Sequence, residues 1–130
     1  MVSDIPEIIT QSKRTPLEKD VEQRLHRKVK SIGGQSWKFV SINNRGVSDR
    51  IVLIAGRCVF VELKRTGGKL SPLQKTFRDK VVANGGEFAL VEGFDGVDRF
   101  VEKLKKERSM FETYLGALRQ LVGWCRGEKE

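Results

Sequence analysis

Cysteine is scarce in this 130-residue chain. The two present, Cys58 and Cys125, lie far apart with no CxxC pair. That excludes a disulfide framework or a zinc knuckle, and both read as reduced thiols of a cytosolic protein. Histidine occurs once, at His26. Four residues after Glu22, it reads as a solvated helical side chain before it reads as a ligand or base. Long apolar runs are missing too. The longest, Ile51–Ala55, has five residues, against about 20 for a membrane span. Met1–Gln11 carries an early acid, Asp4, and no apolar stretch, so it does not read as a signal peptide. There is no internal repeat and no low-complexity segment. Apolar residues make up 38% and charged residues 32%, a wet composition that is still not that of a disordered chain. This length suits one domain, able to bury roughly two-thirds of its unfolded surface without disulfide or structural metal.

What the chain does have is positive charge: 25 Lys and Arg against 17 Asp and Glu, net +8. The excess is spread out, at +2 over residues 1–30, +3 over 31–98 and +3 over 99–130, so there is no basic tail. One window stands out. Arg57, Lys64, Arg65, Lys69, Lys75, Arg78 and Lys80 face only Glu62 and Asp79 between positions 57 and 80. A basic surface there would attract a polyanion, although surplus surface lysine would also account for it.

Residues 1–14 show no sustained period and read as a flexible lead-in. Thr15, Pro16 and Glu18 offer a capping box at a helix start, and Leu17, Val21, Leu25, Val29 and Ile32 form its apolar stripe up to Gly33-Gly34. Ser36–Val40 reads as a strand and Asn43–Gly46 as a loop. Ile51–Ala55 and Cys58–Lys64 read as strands joined by a turn at Gly56-Arg57. Ser71-Pro72-Leu73-Gln74 repeats the helix-start chemistry, with Leu73, Phe77 and Val81 as the stripe and Asn84-Gly85-Gly86 as the stop. Glu87–Val91 reads as a fourth strand. After Gly93 and Gly96 a helical pattern runs to the end. The order α-β-β-β-α-β predicts an α/β fold, a mixed sheet flanked by helices, with a C-terminal helical extension.

Acids inside apolar strands are the chemical signal, because a buried carboxylate is costly unless paired or metal-bound. Asp49 precedes Ile51–Ile54, and Glu62 lies within Val59–Lys64. Alternation puts Phe60, Glu62 and Lys64 on one face. With a turn at Gly56-Arg57, Ile51 opposes Glu62 and Asp49 opposes Lys64. Asp49 and Glu62 are then diagonal neighbours roughly 7 Å apart, able to share one divalent ion. A one-residue register shift would separate them. A third acid can come from the first helix. Glu22 is preferred to Glu18, which the capping box would occupy. Lys64 beside the ion could orient an attacking water or stabilise transition-state charge. The competing reading is a surface hairpin edged by a Glu62–Lys64 salt bridge.

Taken together, Gly46-Val47-Ser48-Asp49-Arg50, the hairpin, Val61-Glu62-Leu63-Lys64 and Gly67-Gly68-Lys69-Leu70-Ser71-Pro72-Leu73-Gln74 resemble the VRR-NUC domain. That is the virus-type replication-repair branch of the PD-(D/E)XK nuclease superfamily. The resemblance covers about residues 17–105 and implies a restriction-endonuclease-like core. It places Asp49, Glu62 and Lys64 in the catalytic D…(D/E)xK positions, Glu22 at the helix-one glutamate and Gln74 at the motif glutamine. It implies Mg²⁺ or Mn²⁺ held by Glu22, Asp49, Glu62 and the Leu63 carbonyl. Ser48 departs from the family's usual proline but removes no ligand.

The family includes phage proteins similar to Holliday junction resolvases, and this chain resembles them. A structure-specific endodeoxyribonuclease acting on branched DNA follows, in the cytoplasm of a phage-infected or bacterial host. A homodimer would match the two-fold symmetry of a four-way junction. Two other classes stay open: a basic DNA-binding protein without chemistry, and a nuclease subunit needing a partner. Lys38, Arg45, Arg65, Lys69, Lys75 and Arg78 are candidate DNA contacts, the last three around a helix start that favours phosphate. Gln74 could cap its helix, serve the site, or both. Trp37 and Phe39 read as sheet-face packing, with base stacking as the alternative. The expected organisation is a lead-in over 1–14, a nuclease domain over 15–106 and an extension over 107–130. The extension's stripe of Phe111, Leu115, Leu118, Val122 and Trp124 would dock on the core or form a dimer seam.

Overall fold

The computed structural model describes residues 15–125, the side chains of 124 and 125 excepted; the expected lead-in over 1–14 and the last five residues lie outside it. Seven elements follow one another: α1 (Glu18–Ser31), β1 (Gln35–Lys38), β2 (Arg50–Ile54), β3 (Arg57–Lys64), α2 (Pro72–Ala83), β4 (Glu87–Glu92) and α3 (Gly93–Cys125). The expected α-β-β-β-α-β order with a terminal helix is the order found. The strands form one sheet in the order β1-β2-β3-β4. The first two pairings are antiparallel, and β4 joins β3 in parallel after the α2 crossover.

The two sheet faces are packed differently. On one, Val52, Ile54, Val59, Val61, Leu63 and Val91 meet Val21, Leu25 and Val29 of α1 and Val97, Val101 and Leu104 of α3 to form the core. Ion pairs fasten these helices to each other. Arg24 forks onto Asp98 at 2.9 and 3.0 Å, and Lys28 Nζ lies 2.6 Å from the same carboxylate. The bond from Arg24, then that from Lys28, pull the Asp98 carboxyl down to about 2. Arg24 also lies 4.8 Å over the Phe94 ring. On the other face α2 buries no residue fully. It rests on aromatic rings, with Phe77 near Phe39, Phe60 and Phe88.

Two expectations are corrected. The first helix is not capped by Thr15, nor is Pro16 its first residue; Leu17 is the extended N-cap, and Asp20 Oδ2 accepts its N–H at 3.0 Å. Asp20 stands three residues after Leu17 and closes the start there, which releases Glu18 from the capping role. The hairpin turn is Ala55-Gly56, not Gly56-Arg57, since Ile54 pairs Arg57. Both turn residues take positive φ, 49° and 76°, as the type I′ geometry that matches strand twist requires. Arg57 is needed as a strand residue, where it forks onto Glu87 of β4 and pairs with Glu107 of α3. The first strand is also shorter than expected, ending at Lys38, although the Phe39 N–H still bonds the Asp49 carbonyl at 2.8 Å.

Gly46 fixes the loop that leads into Asp49. Its φ is +78°, and a Cβ there would meet Leu73 carbon atoms at 2.6 Å. Gly85 has a similar φ of +77° but open space around it. Gly85→Ala should therefore cost only the left-handed strain, about 1–2 kcal/mol. Gly46→Ala should cost about 1–3 kcal/mol more through overpacking. Urea unfolding of the two variants checks this, and equal losses would refute the packed role of Gly46.

Candidate active site

The register found sets the site. Pairing of Arg50 with Val61, continued one step, puts Asp49 directly across from Glu62. The turn moves the pairing by two residues from the expected register, and because side chains alternate with a period of two, the two acids keep a common face. They line a cavity of about 320 Å³ with Glu18, Glu22, Lys38, Leu63, Lys64 and Gln74. It lies at the end of the sheet where the first turns of α1 and α2 both arrive.

Each side chain is held by something specific. Asp49 Oδ2 accepts the Leu63 N–H at 2.9 Å, so the acid is clamped to the neighbouring strand. Glu62 is 1% exposed. Its Oε1 accepts Gln74 Nε2 at 2.6 Å and lies 3.4 Å from Lys64 Nζ. Its Oε2 is buried with no partner, alone in this among the described residues. Burial, then the neighbouring Asp49 charge, push the Glu62 carboxyl up to about 7, against the pull of Lys64. Gln74 closes the capping box, its Oε1 accepting the Ser71 N–H at 2.8 Å, and its amide nitrogen also donates to Glu62 at 2.6 Å.

The two helix-one acids are engaged by cations. Glu22 Oε1 accepts from Arg50 Nη1 at 2.7 Å, and Glu18 Oε1 lies 3.8 Å from Lys64 Nζ. Arg50 is the residue that reading for buried acids passed over. It is 8% exposed, and it also donates to Ser36 Oγ at 2.7 Å and the Ser36 carbonyl at 2.8 Å. The signal was available, since Arg50 shares the inward parity of Val52 and Ile54. His26 joins this group, its Nδ1 lying 3.3 Å from Arg50 Nη2 and 3.2 Å from the Ser36 carbonyl. Ser48 is buried, with its Oγ 3.4 Å from the Arg50 carbonyl.

A divalent cation fits the donors present. Carboxylate oxygens are the ligands hard cations take, and an unpartnered buried carboxylate oxygen is the kind of atom a cation satisfies. Among the described residues no three acids, histidines or cysteines converge on one point; Glu22 and Glu18 line the same cavity, paired with Arg50 and Lys64. Asp49 and Glu62, facing one another, would leave most of such a shell to water, phosphate and other oxygen donors. Of the candidate DNA contacts, Lys38 lines the carboxylate cavity. Arg45, Arg65, Lys69 and Lys75 are exposed. Arg78 is partly exposed and bonds Asp79 at 2.9 Å. Trp37 is half exposed rather than packed, whereas Phe39 joins the aromatic face.

No family model matches the chain. It is similar to "Putative nuclease p44" of Acyrthosiphon pisum secondary endosymbiont phage 1, at 37% identity over 79 residues, 60% of this chain and 85% of that protein. A solved structure described as a VRR_NUC domain superimposes with a TM-score of 0.62 at 26% identity, over 65% of this chain and 94% of that one.

The raised Glu62 carboxyl gives a pH signature in metal-free buffer. Its folded value, about 7, stands above the ordinary 4.5, so the fold gains stability from the proton. That gain is complete below 4.5 and lost as pH rises through 7. Glu62→Gln does not titrate, so relative to wild type it should gain up to about 3 kcal/mol between pH 4.5 and 7.5. Urea unfolding with EDTA at the two pH values measures it; a constant difference would show that burial does not raise the Glu62 carboxyl.

Proposed function

The chain belongs to the VRR-NUC family of nucleases, and from that premise we propose that it is a Mg²⁺- or Mn²⁺-dependent, structure-specific endodeoxyribonuclease cutting branched DNA in the manner of a Holliday junction resolvase. The observation that carries this is the meeting of Asp49 and the buried, half-satisfied Glu62 beside Lys64 in a cavity at the sheet's end. We take residues 15–106 as the nuclease domain and 107–130 as an extension with a separate role.

In this reading Asp49 and Glu62 hold the ion, with the Leu63 carbonyl as a further ligand and Glu22 assisting from α1. Bound there, a divalent ion polarises a phosphoryl oxygen and lowers the pKa of its water. The chain's own residues do the rest. Gln74 fixes one oxygen of Glu62, and the other has no protein partner and is free to take the ion. Lys64 stands where it can orient the attacking water or take up charge on the phosphorane-like transition state. Lys38, Arg45, Arg65, Lys69, Lys75 and Arg78 bind phosphates around the opening. Such contacts read shape and backbone rather than base edges, as a junction enzyme requires.

A four-way junction presents two strands related by near two-fold symmetry, which a C2 dimer matches. The distal part of α3 supports such a dimer. Of the expected stripe, Phe111, Leu118 and Val122 are exposed and Leu115 only partly so, while the Trp124 side chain lies outside the described residues. With Tyr114 and Leu121, also exposed, Phe111 and Leu118 fall at the spacing of an a/d seam. A second copy covers this stripe.

Two measurements test these readings. Incubated with labelled four-way junction, flap and duplex, the wild type should nick the branched substrates with Mg²⁺ or Mn²⁺ and stop in EDTA. Asp49→Ala and Glu62→Ala should each lower cleavage by a factor of about 10³ or more, with junction binding retained. Near wild-type cutting by either variant would mean that the site is misassigned; binding without nicking by the wild type would favour a non-catalytic DNA-binding protein. Separately, sedimentation should show a wild-type dimer and a Leu118→Asp monomer. A variant that stays dimeric would place the interface elsewhere.

A further inference from the structure

A second cavity, of about 530 Å³, adjoins the carboxylate site and is larger than it. Its walls are aromatic. Phe39 and Phe60 rise from the sheet and Phe77 descends from α2, with ring centroids 5.4–6.4 Å apart. Arg45 and Lys80 stand at the rim with Asn44 and Asn84, and among the described residues no acid lines the space. The cleft exists because α2 only rests on this face, leaving the rings half-buried.

The position of the cleft ties it to the chemistry. Phe60 and Glu62 lie on the same face of β3, two residues or roughly 7 Å apart. Leu73 lines the cleft, and the next residue, Gln74, lines the carboxylate cavity. A strand whose phosphate sits at Asp49 and Glu62 therefore has a neighbouring nucleotide at the cleft mouth.

We infer that this cleft receives an unpaired nucleobase of the substrate strand, next to the phosphate at the carboxylates, with Arg45 and Lys80 on the flanking phosphates. Phenyl faces suit any base, because every base has a π-face. A rim of two cations without an acid suits the backbone on either side of it. The inference rests on the nuclease reading and deepens it by naming what marks the substrate. Bases at a branch point are already weakly stacked, so taking one out of the helix costs less there than within duplex.

The test uses the full chain in EDTA, where binding is read without cutting. The probes are 5′-fluorescein-labelled (dT)₁₀ and a ten-residue abasic strand of the same charge, followed by anisotropy across a salt series. Wild type should bind (dT)₁₀ at least about five-fold more tightly than the abasic strand. Phe77→Leu should lose that preference with the salt slope unchanged, and Phe77→Tyr, which keeps the ring, should retain it. Arg45→Ala with Lys80→Ala should instead flatten the slope, by about 0.7 for each phosphate no longer neutralised. In case Phe77→Leu fails to fold, photocrosslinking of 5-iodouracil strands to the wild type should map to peptides holding Phe39, Phe60 or Phe77. Equal affinity of the wild type for the two probes, or crosslinks confined elsewhere, would overturn the inference. A cleft filled by a second copy or by residues 1–14 would give the same result. Absence of cleavage by the wild type in Mg²⁺ or Mn²⁺ bears only on the nuclease reading, so the two failures are distinguishable.

Discussion

The antiparallel pairing of β2 with β3 sets everything that follows. Its tight Ala55-Gly56 turn forces a non-glycine residue to φ 49°, and in return it puts Asp49 opposite Glu62. Two carboxylates facing one another in a nearly dry place repel, and this repulsion adds to burial in raising the Glu62 carboxyl. A structure that selected only for stability would place an apolar residue at position 62, like Val59, Val61 and Leu63 around it. The fold tolerates the acid because Gln74 and Lys64 both attend one of its oxygens, while the other is left without a protein partner.

Around that pair the remaining interactions fix geometry. Arg50 ties Glu22 and Ser36 together across α1, β1 and β2. Arg24 and Lys28 tie α1 to α3 through Asp98. The helix bearing Glu18 and Glu22 is thus held both to the sheet and to the neighbouring helix, and its first turn cannot drift from the cavity independently. A buried charge pair such as Arg50–Glu22 contributes little net stability against an apolar replacement, but breaking it strands a charge. It fixes where an acid points.

Much of this was legible in the chain because the signals are local and periodic. Apolar stripes gave α1 and α2, alternation gave β3, and Ser71-Pro72-Leu73-Gln74 gave the start of α2 and one of Gln74's two bonds. The common face of Asp49 and Glu62 was also legible, although the turn was misplaced by one position: a two-residue change of register preserves side-chain parity where a one-residue change would not. What was hidden depended on contacts between segments distant in sequence. The start of α1 is the exception, a local competition in which Asp20 closes the helix at Leu17 from three residues away. Arg57 resembles a turn residue until Glu87 and Glu107 are brought to it from 30 and 50 positions away. Arg50 stays hidden because its partners come from two other elements, α1 and β1.

The last helix is one uninterrupted rod of 33 residues, about 50 Å long. Its beginning lies in the core through Val97, Val101 and Leu104, and its end carries the exposed stripe of Phe111 to Leu121. No hinge separates the two parts, so the azimuth of the distal stripe is phased to the core by the helical repeat. A single inserted residue between them would swing the stripe by about 100°, whereas seven would return it to within about 20°. Length variation in this segment is therefore quantised: whole pairs of turns can be added or removed, and single residues cannot.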